Sequence, residues 1–235
     1  MQQEESRRDF LKQLAGATSA VVLAPTIVGC GRTGGSPQAQ AEGEPTGGGE
    51  DTVAGHAPLA VPRVKPADWD PVAFNKARGN AGAIPESYRD DINGPDGDAK
   101  HLGKHLPYVA ETDPGRVPAG MVALMWGDPA KGHARHPNAR RSEDNPEGHW
   151  YNWIRIRRAV DGDAQEAESR YRGWPDVEQP GDGAYTVKGG GDITADGGKN
   201  TIYLARLPDD VRPGDMVRIH AHCLTHGEYV DFLTV

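Results

Sequence analysis

Cysteine is scarce: the chain of 235 residues has two, Cys30 and Cys223. Cys30 closes a hydrophobic N-terminal segment, so Cys223 is alone in the part that can fold, and a lone thiol excludes a disulfide framework. Long apolar runs are missing too. Leu14 to Val28 extends over about fifteen residues and includes Pro25, short of the ~20 that span a bilayer. Sustained helical periodicity is rare. No Gly-Lys-Ser/Thr follows Gly189-Gly190-Gly191, which excludes a phosphate loop. The acid- and glycine-rich stretch from Asp161 to Asn200 lacks the twelve-residue loop ending in glutamate that calcium takes, so Asp161-Gly162-Asp163 and Gln179-Pro180-Gly181-Asp182-Gly183 are turn chemistry. Basic residues form no block beyond Arg155-Ile156-Arg157-Arg158, and with a formal net charge of -8 a nucleic-acid role has no support.

What is present begins with an export pattern. Ser6-Arg7-Arg8-Asp9-Phe10-Leu11-Lys12, followed by the weakly polar Leu14 to Val28, matches a twin-arginine signal, which a translocase of folded proteins reads. Ile27-Val28-Gly29-Cys30 resembles a lipobox, whose cysteine is acylated and becomes the mature N-terminus. Gly31 to Asp68 is rich in Gly, Pro, Ala and acidic residues without a sustained apolar period, too little to offset the entropy of ordering it. The expected organisation is an export signal over 1–29, a flexible tether over 30–68 in which His56 is idle, and one folded domain over 69–235. The expected location is periplasmic or at the cell surface, tethered to the membrane by lipid on Cys30.

About 165 residues remain for that domain, enough for one real core. Gly (31) and Pro (19) are abundant, and short β-rich runs recur between turn clusters, which predicts an all-β, immunoglobulin-like sandwich. Expected strands are Gly120 to Trp126, Trp150 to Val160, Ala184 to Lys188, Thr201 to Leu207, Asp215 to His222 and Glu228 to Val235; Pro71 to Arg78 reads as a helical turn. Alternation puts Val217, Ile219, Ala221 and Cys223 on one face and Arg218, His220 and His222 on the other, expected to be solvated. Arg155 and Arg157 are likewise expected to face outward.

Cys223-Leu224-Thr225-His226-Gly227 sets a sulfur and an imidazole three positions apart where the apolar alternation ends. Lys104-His105-Leu106-Pro107, His136-Pro137-Asn138 and His149-Trp150-Tyr151-Asn152-Trp153-Ile154 each put an imidazole at the edge of an expected strand or turn. Together they can give one sulfur and four nitrogens, a set suited to a first-row metal in square-pyramidal geometry with one position open. His101 lacks the following Leu-Pro and stays outside the set, while His133 competes with His136.

In this order the motifs resemble the iron domain of the superoxide reductases, the desulfoferrodoxin and neelaredoxin family, over about Lys104 to Val235, with a poorly matching insertion at about 160–200. The resemblance implies one mononuclear Fe(2+)/Fe(3+) centre held by His105, His136, His149, Cys223 and His226, with the cysteine opposite the open position. It implies an oxidoreductase that converts superoxide to hydrogen peroxide with an electron from outside. The small four-cysteine domain of some relatives is absent, so the donor would be a rubredoxin-like or other redox protein. Lys104 would attract the substrate anion, local steering that the overall acidic charge cannot provide, with Arg140 or Arg141 as further candidates.

Two departures stand out. The family's glutamate before Lys-His is Gly103 here, and the spacing from His136 to His149 is longer, filled by Ala139-Arg140-Arg141-Ser142-Glu143-Asp144-Asn145. A cupredoxin-like copper protein would share the sandwich and the Cys-x-x-His, but it needs two histidines and usually a methionine a few residues on, and Gly227 to Asp231 has none. A non-catalytic iron-binding redox lipoprotein would keep the site without the reaction. A cysteine hydrolase would need an oxyanion hole and an orienting third residue that the chain does not display.

Overall fold

The computed structural model describes residues 58–176 and 183–235. The export signal, Cys30, His56, the tether as far as residue 57 and the Gln179 to Asp182 turn lie outside the described residues. Within them the alternating runs become strands: β1 (Pro107–Val109), β2 (Met121–Trp126), β3 (Tyr151–Arg158), β4 (Glu166–Arg170), β5 (Ala184–Val187), β6 (Thr201–Arg206), β7 (Met216–Cys223) and β8 (Gly227–Thr234). They form two four-stranded sheets, β1-β2-β6-β5 and β4-β3-β7-β8, with every pair antiparallel. The fold is the expected all-β sandwich.

The core lies between the sheets. Val122, Leu124 and Trp126 of β2 and Tyr203 and Ala205 of β6 pack with Tyr151, Ile154 and Ile156 of β3 and with Val217, Ile219, Ala221 and Cys223 of β7. Burying each large aliphatic side chain is worth roughly 1.5–3 kcal/mol. The inward face of β7 is the one that alternation assigns, and it delivers Cys223 to the edge of the core.

The opposite face of β7 corrects the expectation of solvated residues. Arg218 is buried and pairs with Glu166 at 2.8 Å. The His220 Nε2 lies 2.8 Å from Glu228, and His222 stacks on Trp153 with ring centroids 5.7 Å apart. Arg157, expected to face outward, is buried as well and donates to the carbonyls of Val160 and Gly162.

Strands β1 and β4 have no counterpart among the expected ones. Strand β1 is three residues long and starts at a proline, a position that edge strands tolerate. Strand β4 is Glu-Ala-Glu-Ser-Arg, without apolar alternation, and is held by charge: Glu168 pairs with Arg155 across the strands at 2.6 Å, and Glu166 pairs with Arg218.

Residues 69–105 pack along β8. Helix α1 (Pro71–Arg78) begins at Asp70, whose carboxylate accepts from the Val72 and Ala73 amides, with Pro71 in the first turn. From α1, Asn75 clamps the edge of β8 by donating to the Val230 carbonyl and accepting from its amide, both at 2.8 Å. Helix α2 (Arg89–Asn93) follows, then a π turn (Gly97–Leu102) and a 3-10 turn (Gly103–His105). Ile84, Tyr88, Ile92 and Leu102 bury against Tyr229 of β8. No helix of the described residues is long and apolar enough to cross a membrane.

Candidate metal centre

Four elements supply the candidate ligands. His105 ends the 3-10 turn just before β1, His136 lies in the loop after β2, His149 stands two residues before β3, and Cys223 and His226 flank the β7–β8 hairpin turn. One ligand atom from each of these five residues falls within 4.8 Å of every other. The His226 Nδ1 is central: it lies 3.0 Å from His105 Nε2, 3.1 Å from His149 Nε2 and 3.6 Å from Cys223 Sγ. The His136 Nε2 approaches Cys223 Sγ at 3.5 Å. Four histidines and one cysteine therefore form a group that can hold a metal ion.

Local structure sets which nitrogen faces inward. His105 Nδ1 donates to the carbonyl of His101 at 2.6 Å, which frees Nε2 for the cluster. His226 follows Cys223 by three residues in a tight turn, its amide donating to the Cys223 carbonyl at 3.2 Å, so its nearer nitrogen, Nδ1, turns back toward the sulfur. Tyr229 stacks on the His105 ring at 4.2 Å, with planes 10° apart, and its hydroxyl donates to the His226 carbonyl. Gly227 pairs with Cys223 across the hairpin at φ +82, where a Cβ would come 2.3 Å from the Ala83 carbonyl. The glycine of Cys-x-x-His-Gly thus lets the segment before α2 close over the turn.

The stretch from His136 to His149 is closed by a bridge at the base of the loop. Ala139 and His149 exchange amide-to-carbonyl bonds of 2.9 and 2.8 Å, which brings the His136 and His149 rings to 4.4 Å. Asn138 fixes the turn from the other side by donating to the Gly198 carbonyl at 2.9 Å. A bulge between Tyr151 and Trp153 then lets both Tyr151 and Ile154 face the core.

Of the two competing histidines, the group includes His136, and His133 stands outside it. Its ring instead occupies the space beside Gly103, where a Cβ would meet His133 Cδ2 at 2.4 Å. That packing leaves no room at position 103 for a residue larger than glycine without a shift of its neighbours. His101 also lies outside the group, yet it serves the site twice, through its carbonyl to His105 and through Nδ1, 2.9 Å from the Tyr88 hydroxyl.

Tyr88 covers the neighbouring flank, its ring 4.0 Å from that of His226 and 5.3 Å from the Lys104 Nζ. Tyr88 and Tyr229 are the site residues that sequence reasoning missed. Nothing in the spacing around Tyr88 marks it, whereas His101 stands four residues before His105 in the sequence.

Burial keeps the nitrogens unprotonated. It holds His105 and His136 well below the usual imidazole range, His149 at about 4 and His226 at about 2, with neighbouring histidines or the Lys104 ammonium adding to the effect. Burial likewise pushes the Cys223 thiol up to about 12, against the amides of Thr225 and His226 and the charge of Lys104. Several lone pairs therefore converge on His226 Nδ1, and a neutral imidazole can satisfy only one of them by an N–H bond. A cation at the centre satisfies all, and it would draw the thiol to thiolate. The donor set fits a transition metal with imidazole and soft sulfur ligands.

Compared with protein-family models, with curated proteins and with solved structures, the chain has no match in any of the three.

Proposed function

We propose that His105, His136, His149, Cys223 and His226 hold one iron ion and that the protein reduces superoxide to hydrogen peroxide there. The observation that carries this is the convergence of four imidazoles and one sulfur within 4.8 Å. A blue-copper site needs two histidines with its cysteine, so two imidazoles here would be left over. The reaction takes one superoxide, one electron and two protons to one hydrogen peroxide. Bound iron would supply the electron, and an external redox protein would restore it.

The chain's own residues bring the anion and shape the site. Lys104 is half-buried next to His105, and burial lowers its ammonium while Cys223 and Asp91 favour the charge. It places the nearest cation beside the cluster, which draws superoxide against an overall charge of -8. Tyr88, hydrogen-bonded to His101, packs on one face of the His226 ring. His149 and His226 are partly exposed, whereas His105 and Cys223 are at 0% exposure, so substrate and solvent protons arrive along the His149–His226 side. A twin-arginine signal and lipid on Cys30 would put this chemistry outside the cytoplasm, at the membrane.

The test is metal content followed by turnover. Protein purified anaerobically is analysed for iron, zinc and copper, then mixed rapidly with superoxide while peroxide and dioxygen are counted. Near-stoichiometric iron, one peroxide per superoxide and no dioxygen are expected. Stoichiometric copper, or no metal after ferrous loading, would overturn the iron site. Iron that superoxide does not oxidise would leave a non-catalytic iron protein.

A further inference from the structure

The two stretches in which this chain departs from the superoxide reductase pattern, the long loop before His149 and the insertion after β3, meet at one cavity of about 470 Å³. That volume lies within the roughly 300–1,000 Å³ range of small-molecule sites. Its floor is Trp150 and Trp174, buried to 2% and 6% exposure. Both indoles are pinned: Trp150 Nε1 donates to the Tyr171 carbonyl at 2.9 Å, and Trp174 Nε1 to Thr201 Oγ1 at 3.0 Å. Tyr185 adds a hydrogen bond of 2.7 Å to the Gly173 carbonyl, so the wall is preformed.

The rim is basic. Arg140 and Arg141 come from the loop and Arg172 from the insertion, all three exposed, with Asp176 the carboxylate in the described lining. The Arg141 guanidinium stands 5.5 Å over the Trp150 ring, and its Nε makes a long hydrogen bond, 3.4 Å, to the Glu147 carbonyl. Among the described residues neither Arg140 nor Arg141 forms an ion pair with a carboxylate. Arg140 and Arg141 are consecutive in the chain and both line the mouth of the concavity, so two cations can serve one anion there, although the charge of Arg140 also acts on the Asp192 carboxyl and helps hold it below its usual range. Planar guanidiniums match the paired oxygens of phosphate, and two of them match its double charge.

We propose that this cavity binds a small organic phosphate, the phosphate held by Arg140 and Arg141 and the organic part lying in the concavity above the indoles. The proposal stands independently of which metal the histidines bind. The site nevertheless adjoins them: Trp150 follows His149 in the chain, and its carbonyl accepts from the Leu224 amide at 3.1 Å, in the turn after Cys223.

Calorimetric titration of the full chain with phenyl phosphate and, separately, with inorganic phosphate tests it. Phenyl phosphate should bind, more tightly than inorganic phosphate and less tightly as salt rises. The double variant R140A/R141A should weaken it by about tenfold or more, and R140K/R141K, which keeps charge but loses the planar fork, should fall between. Both variants change exposed side chains, and their thermal midpoints should match the parent. No binding of phenyl phosphate at millimolar concentration, or equal binding by R140A/R141A, would overturn the site. Equal affinity for the two probes would overturn the organic ligand.

Discussion

The hydroxyl of Tyr203 donates to Asn138 Oδ1 at 2.5 Å and accepts from the Tyr151 amide at 3.1 Å. One buried oxygen on β6 thus joins the turn that carries His136 to the start of β3, just after His149. Tyr203→Phe would leave a buried amide and a buried carbonyl oxygen without this partner, at a cost of about 1–3 kcal/mol. The expected result is a lower denaturation midpoint together with reduced metal content. Parental values of both would show that the hydroxyl does not hold the turn.

His136 and His133 separate by their contacts. His136→Ala removes a nitrogen 3.5 Å from Cys223 Sγ and should abolish stoichiometric metal binding, whereas His133→Ala should leave it intact. Elemental analysis of the two proteins after identical ferrous loading decides between them. Metal lost from the His133 variant alone would reverse the assignment.

A glutamate at position 103 should not be accommodated on its own. A Cβ there meets His133 Cδ2 at 2.4 Å and the Asp98 carbonyl at 2.9 Å, and overpacking of this kind costs about 1–3 kcal/mol. Gly103→Glu should lower the thermal midpoint, and adding His133→Ala should recover part of the loss. A single variant as stable as the parent would show that the 3-10 turn yields easily.

Lys104→Ala should leave the metal bound while slowing superoxide capture and flattening its dependence on ionic strength. The comparison is of second-order rates from rapid mixing across a range of salt. Rates and slope equal to the parent's would take Lys104 out of substrate capture.

The metal-free protein should lose stability on acidification. His149 titrates at about 4 when folded, against 6.5 when unfolded, chiefly because of burial and then Lys104. The unfolded chain therefore binds more protons between these values. Its contribution is complete above about pH 6.5 and falls as the pH drops toward 4, and the other three imidazoles act in the same direction. Urea midpoints of metal-free protein should drop across this window, and a flat profile would mean that the imidazoles are not desolvated.

The sequence carried the strands that alternate and the ligands that sit in short motifs. Val217 to Cys223 showed which face Cys223 would leave from, because period-two patterning is local. Strand β4 was hidden because its stabilisation is cross-strand charge, visible only once Glu166 and Glu168 stand beside Arg218 and Arg155. His220 and His222 looked exposed for a related reason: their cover comes from Arg78 with Glu228 and from Trp153, and no local pattern announces those contacts. Tyr88 was equally illegible, since it reaches His226 only through the packing of residues 69–105 along β8. The bridge from Ala139 to His149 was not legible either, since it closes a loop that no local pattern pairs.

The five candidate donors also have a mechanical meaning. His105 and His226 are 121 positions apart in the chain, and the bonds of a bound ion would join them directly. Tension applied to the flanking chain would then run through β8 and the metal centre, bypassing β1 to β7. Roughly 400 Å of extended polypeptide would be shielded from the pull until a metal–ligand bond broke. Removing the ion would return that load to the enclosed strands, so a single atom would decide whether β1 to β7 bear force at all.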